Sequence, residues 1–205
     1  MMVTRSLRSM TRALIFLCVP LSVASCIYRF KAPTEFSFDS SKSKIIPLRA
    51  ALFIRPGYRN FMIGHPAKLG GFYPIEYALG ESFMTGSRRI AELLFRDVVF
   101  FETMNAETDL PDIDVIVVPE ITEGKFYSFG RKSLAARIEV KWTILDRGRK
   151  EIYVNTFVGE ATGKEKPFLD QNKELGRLMD AAVIEVYHKA VESLGAVEWW
   201  KDIIK

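Results

Sequence analysis

Cys26 is the residue in this 205-residue chain whose surroundings most clearly prepare it for chemistry. Three arginines, Arg5, Arg8 and Arg12, precede an apolar run from Ala13 to Leu21, and the small residues Ser22, Ala24 and Ser25 then lead into Cys26. Positive charge, then apolar length, then small side chains is the order of a secretory signal. The run has about half of the roughly 20 apolar residues that a membrane-crossing helix needs, and Pro20 interrupts it, so a retained span is not expected. Of the two cysteines, Cys18 lies inside the signal. Cys26 is therefore the one sulfur nucleophile left after cleavage, and no disulfide or cysteine-ligated metal is expected.

Other chemistries find little support in residue types and spacing. The only histidines are His65, in a glycine-rich stretch, and His188, in a helical stretch, and no G-x-S-x-G elbow accompanies them. Two distant histidines make a poor zinc site. Neither GxxxxGK[ST] nor GxGxxG is present to cradle a phosphate. Glu120 or Glu123 paired with Asp146 or Glu160 has the composition of a glycosidase dyad, but any chain with 25 acidic residues offers such pairs. The expectation is a non-enzymatic protein without cofactor or metal. The signal holds three of the 29 Lys+Arg and none of the 25 Asp+Glu, so the mature chain is close to neutral and nucleic acid is not an expected partner.

The run Val23-Ala24-Ser25-Cys26 resembles the lipobox of bacterial lipoproteins, with an aliphatic residue three before the cysteine and small residues directly before it. The resemblance implies that Val23, Ala24 and Ser25 are read by the signal peptidase and that the Cys26 sulfur carries a thioether-linked diacylglyceryl group. Ile27 after the cysteine, rather than Asp, is consistent with sorting to the outer membrane, on its periplasmic face. The plainer alternative is an ordinary secretory signal that happens to end near a cysteine.

Four segments follow: a signal over 1–25, a lipidated tether over 26–47, one domain over 48–195, and an amphipathic aromatic tail over 196–205. The tether reading rests on Ser, Lys and Pro content with no sustained period between Tyr28 and Pro47, although TEFSF allows a short edge strand. Leu48 to Arg55 reads as a buried strand, and Gly57 to Pro74 as a broken, glycine-rich loop whose aromatics cover the sheet or line a pocket. Leu79, Phe83, Ile90, Leu94 and Val98 predict an amphipathic helix over Tyr77 to Val99, with the strand-like VVFFET at its end. Asp109, Asp112 and Asp114 read as turn residues ahead of a central strand, IDVIVVPEI. Leu134 to Ile144 alternates apolar and polar residues without a break, and Asp146-Arg147-Gly148 turns it into a return strand, Glu151 to Gly159. Glu174 to Leu194 carries a second helical stripe closed by Gly195.

The expected fold is α+β: a small, mostly antiparallel sheet of about four strands with one long hairpin and two helices on one face. From Tyr73 to Leu194, YPIEYALGESFMTGSRRIAELLF, DVIVVPEI and ARIEVKWTILDRGRKEIYVNTFVGEA resemble a group of Gram-negative envelope lipoproteins. The group includes the lipopolysaccharide-assembly lipoprotein, auxiliary lipoproteins of ABC transport systems and the periplasmic domain of the curli secretion lipoprotein. The resemblance implies a partner-binding adaptor or assembly factor held to the membrane by its N-terminal lipid, with an envelope protein as partner and oligomers open to it. Two stretches are candidate contact sites: the basic, aromatic hairpin residues Lys125, Phe126, Tyr127, Phe129, Arg131 and Lys132, and the tail tryptophans Trp199 and Trp200, which read equally well as a tail packed back over the sheet. The alternatives are a carrier of a small lipid or glycan under the 57–74 stretch, and an envelope hydrolase.

Overall fold

The computed structural model describes residues 27–38, 45–65, 74–101, 112–129, 133–164 and 168–203. Val23, Ala24, Ser25, Cys26, Arg131 and Lys132 lie outside them, as do the side chains of His65 and Phe129.

The chain is α+β, with two mixed sheets rather than one mostly antiparallel sheet of about four strands. Its strands are β1 (Tyr28–Lys31), β2 (Ile46–Phe53), β3 (Met62–His65), β4 (Ile75–Ala78), β5 (Phe95–Phe101), β6 (Val115–Phe129), β7 (Ser133–Asp146) and β8 (Glu151–Lys164); its helices are α1 (Gly80–Leu94) and α2 (Phe168–Ala196). The large sheet has the order β5-β2-β6-β7-β8 and the small one β1-β4-β3. β2 runs parallel to both neighbours, and Ala50, Ala51 and Leu52 are buried in succession, as a strand covered on both faces requires.

The helix expected over 77–99 ends at Leu94, where Phe95 turns extended. FRDVVFF is β-branched and aromatic, and pairing with β2 recruits it as β5. The long hairpin is present as expected: Leu134, Ala136, Ile138, Val140, Trp142 and Ile144 are all buried, and the Asp146 carboxylate accepts from the Lys150 N–H at 2.9 Å to close the turn.

Both helices share one core with this buried face of the large sheet. Gly86 lets α1 and α2 meet, because a Cβ there would strike the Tyr187 ring. α2 runs antiparallel along β8: Gly163 lies by Glu174 and Leu178, Gly159 by Ala182, and Lys189 Nζ donates to the Val158 carbonyl at 2.8 Å. Glu185 accepts from the Glu160 N–H at 2.7 Å, so α2 side chains occupy backbone groups of β8's outer edge.

One expectation at the chain's margins changes and one alternative is decided. The supposed tether contains β1, which is paired parallel to β4, and its Phe36 and Phe38 pack on Tyr187 and His188 at ring separations of 5.0 and 5.5 Å. Burial of these aromatics on α2 gives a polar, unpatterned stretch a fixed place that its own sequence does not encode. Of the two readings of the tail, the structure shows the one packed back on the core. Trp199 lies 6.3 Å from Phe95 and 5.9 Å from Tyr153, and Trp200 and Ile203 pack on the same core.

Candidate functional site

Among the described residues, one face of the large sheet bears no helix. The cluster on that side consists of Ala51, Ile113 and Ile116, with Phe53, Val99, Phe101, Val118 and Leu145 partly buried around it, and no helical residue belongs to it. Further along the same face, toward the β6–β7 turn, the sheet becomes polar. A bulge between Ile121 and Glu123 shifts the register, so that Lys125 faces Arg137 and Tyr127 faces Ala135, while Arg137 faces Glu160 on β8. Together Thr122, Glu123, Lys125, Tyr127, Arg137 and Glu139 line an open depression of about 780 Å³.

Arg137 organises this end. Its guanidinium reaches Glu123 at 2.9 Å, Glu139 at 3.1 Å and Glu160 at 3.6 Å. Lys125 bonds Glu123 at 2.6 Å and lies 5.7 Å from the Tyr127 ring centroid. The Lys125 ammonium, and then Arg137, hold the Glu123 carboxyl below its ordinary range. Burial, followed by the bond it donates to Glu160, pushes the Tyr127 phenol up to about 12. Among the described residues of this polar plate each charge therefore has a counter-charge, three carboxylates (Glu123, Glu139 and Glu160) against two cations (Lys125 and Arg137), while Arg131 and Lys132 of the expected basic patch lie outside the described residues.

The candidate contact residues divide. Lys125 and Tyr127 belong to this plate. Phe126 is only 8 % exposed and packs against Tyr77 at 6.3 Å, so it serves the core, because the strand's alternation turns it away from its two neighbours. Trp199 and Trp200 are structural closures of the core rather than a free amphipathic tail. Sequence reading missed Arg137 and Glu139 as members of one site. They lie two residues apart on β7, so the alternation that marks this strand already placed them on one face.

The acids considered for glycoside chemistry have structural neighbours: Glu120 pairs with Arg55 at 2.7 Å, and Glu123 and Glu160 share Arg137. Asp114 accepts from the Arg49 N–H at 2.8 Å and pairs with Arg147 at 3.0 Å, which fixes the entry to β6. Among the described residues no group of three His, Cys, Asp or Glu side chains is placed to hold a metal ion. His188 meets Phe38 edge-on. In the 57–65 stretch, Tyr58 packs on Phe83 at 4.9 Å and on Phe61 at 5.7 Å, so its ring covers the core.

A buried polar pair links the two sheets' supports. Tyr77, fully buried on β4, donates to the Asp180 carboxylate on α2. Burial pushes the Asp180 carboxyl above its ordinary value of 3.8, against the opposing pull of the Tyr77 bond. A carboxyl with a raised folded-state pKa favours the native state below 3.8, and that contribution is lost as pH rises through the raised value. The Asp180→Asn variant, which keeps an acceptor for Tyr77, is therefore expected to gain stability relative to the parent as pH rises from 3.5 to 7. Thermal melts across that range check it: the variant's melting temperature is expected to rise relative to the parent's between pH 3.5 and 7, and a difference that does not change with pH contradicts it.

The chain matches no family model and no curated protein sequence. Solved structures that resemble it include a DUF330 protein from Xanthomonas campestris (TM-score 0.49, 10 % identity, 82 % of this chain and 95 % of that one). They also include a minor lipoprotein from Acinetobacter baumannii (TM-score 0.45, 11 % identity, 75 % and 94 %). A third is a PelC dodecamer from Paraburkholderia phytofirmans (TM-score 0.34, 10 % identity, 70 % and 93 %). At such scores and identities the α+β assignment rests on the strand order and helix placement of this chain itself.

Proposed function

We propose that the protein is a lipid-anchored, non-enzymatic adaptor or transport-auxiliary factor of the bacterial envelope, held by Cys26 at the periplasmic face of the outer membrane. The observation that carries this reading is Val23-Ala24-Ser25-Cys26 placed directly after an apolar run of signal-peptide length and directly before the folded chain. Partner contact falls on the helix-free sheet face, where the polar plate around Arg137 adjoins the apolar patch around Ile116. Wide, open surfaces that combine an apolar patch with a hydrogen-bonding rim suit protein partners better than small ligands, which need enclosure.

Two experiments test the anchor and the face. Inhibition of the lipoprotein signal peptidase is expected to accumulate the uncleaved chain, and density fractionation is expected to place the mature chain with the outer membrane. Photo-crosslinking amino acids at Tyr127 and Val158, on the helix-free face, are expected to give a discrete envelope-protein adduct in cells. The same group at Ile184, 40 % exposed on α2, is expected to give none. Adducts from Ile184 alone would move the contact surface to the helical side.

A further inference from the structure

The number of residues between Cys26 and the first fixed strand determines where the domain stands. Only Ile27 separates the cysteine from β1. β1 is fixed at both ends: the Tyr28 N–H donates to the Pro74 carbonyl at 3.0 Å, and the Ala32 N–H donates to the Ala78 carbonyl at 3.0 Å. Between them Arg29 pairs with Glu76 at 2.8 Å, and Phe30 packs on Gly176 of α2. Slack at the N-terminus would require loss of this whole strand.

From these observations we infer that the β1 end of the domain lies on the lipid headgroups, with Ile27 and Tyr28 as the contacting residues. The inference rests on the lipidation of Cys26 proposed above. Two residues span about 7 Å at full extension. The headgroup layer on each side of the hydrocarbon is roughly 5–8 Å thick. An acylated Cys26 therefore leaves Tyr28 at or within the headgroups. Ile27 is 42 % exposed and Tyr28 37 % exposed, an aliphatic residue followed by the amphipathic aromatic type enriched at membrane interfaces.

The arrangement also sets an orientation. Phe30 touches α2 near Gly176, Phe36 touches Tyr187 and Phe38 touches His188, so the chain after β1 travels along α2 away from that helix's start. The start of α2 lies beside the end of β8, where Gly163 meets Glu174. The membrane-facing end is thus the end where α2 begins and β8 finishes. The β7–β8 turn points into the aqueous space, about 45 Å away along the fourteen residues of β7. The helix-free sheet face then stands upright from the bilayer and is open to partners from the side.

Depth measurement tests this on the full-length lipoprotein, purified with its lipid and reconstituted in vesicles of phosphatidylethanolamine and phosphatidylglycerol. With Cys26 acylated, an introduced cysteine is the only free thiol for a nitroxide label. Labels at Tyr28→Cys, and independently at Arg29→Cys, are expected to show an oxygen-to-nickel-chelate collision ratio several-fold above that of Lys150→Cys at the far turn. Insertion of eight Gly/Ser residues after Ile27 is expected to bring the position 28 ratio down to the Lys150 value while the lipid remains. A position 28 label as aqueous as Lys150→Cys in acylated protein without the insertion overturns the inference and leaves the anchor intact. Protein whose Cys26 is found unacylated overturns both.

Discussion

Gly159→Val is expected to lower the melting temperature by about 6–12 °C, taking 2–4 °C per kcal/mol for a domain of this size and roughly 3 kcal/mol of overpacking. At Gly159 the backbone of α2 lies directly against β8. A Cβ there would fall on the Ala182 carbonyl oxygen and crowd the Val186 N–H. Both are helix backbone and have no rotamer through which to withdraw, so α2 must lift. Lifting α2 uncovers Met179, Ala182, Val183 and Val186, which are fully buried against the sheet, and loosens the bonds from Glu185 and Lys189 that occupy β8's edge. Gly57→Ala is the matched control. A Cβ at Gly57 meets open space, and the change is expected to stay within about 0.5 kcal/mol of the parent. Scanning calorimetry of the two variants separates them, and a Gly159→Val melting point equal to the parent's contradicts the placement of α2 on β8.

Cys26→Ser, expressed behind a secretory signal whose cleavage does not require the cysteine, is expected to move the protein from the membrane pellet to the soluble fraction with its melting temperature unchanged. Membrane affinity from acyl chains accumulates at about 0.8 kcal/mol per buried CH₂, and two anchoring signals suffice for stable attachment. A diacylglyceryl group with an N-terminal acyl chain exceeds that requirement. Serine keeps the size of the side chain but lacks the thiolate that forms the thioether. The fold is independent of the change, because the first strand begins at Tyr28 and its contacts lie with β4 and α2. Loss of membrane attachment without loss of stability distinguishes an anchor from a structural cysteine. Contact through Ile27 and Tyr28 alone does not retain the protein, since two side chains bury too little apolar area to hold a domain on a bilayer.

How far the sequence discloses this arrangement depends on the length of each element. β7 is legible because eleven residues alternate without a break, and α2 because its stripe persists from Leu175 to Leu194. YRFK, MIGH and IEYA each span four residues, too few to establish a period, and become strands only by pairing with one another. The α1–β5 junction is ambiguous locally, since Leu94 and Val98 suit a helical stripe while FRDVVFF suits a strand; parallel pairing with β2 decides it. Phe36 and Phe38 sit in a polar context and gain their place from Tyr187 and His188, which are about 150 residues away in sequence. In the polar plate, counting back from the Leu145–Glu151 pair at the turn puts Arg137 opposite Gly159, and only the register shift between Ile144 and Leu145 brings it to Glu160, so that pair was not within reach of the sequence. Neither was Glu123, because the bulge after Ile121 changes which β6 residues share the face.

The central claim, attachment through Cys26, is tested most directly by the mass of the mature protein's N-terminal peptide after digestion of protein taken from the native envelope. The account predicts a peptide that begins at Cys26 and carries a diacylglyceryl group on its sulfur. A peptide that begins elsewhere, or one in which Cys26 retains a free thiol, contradicts it.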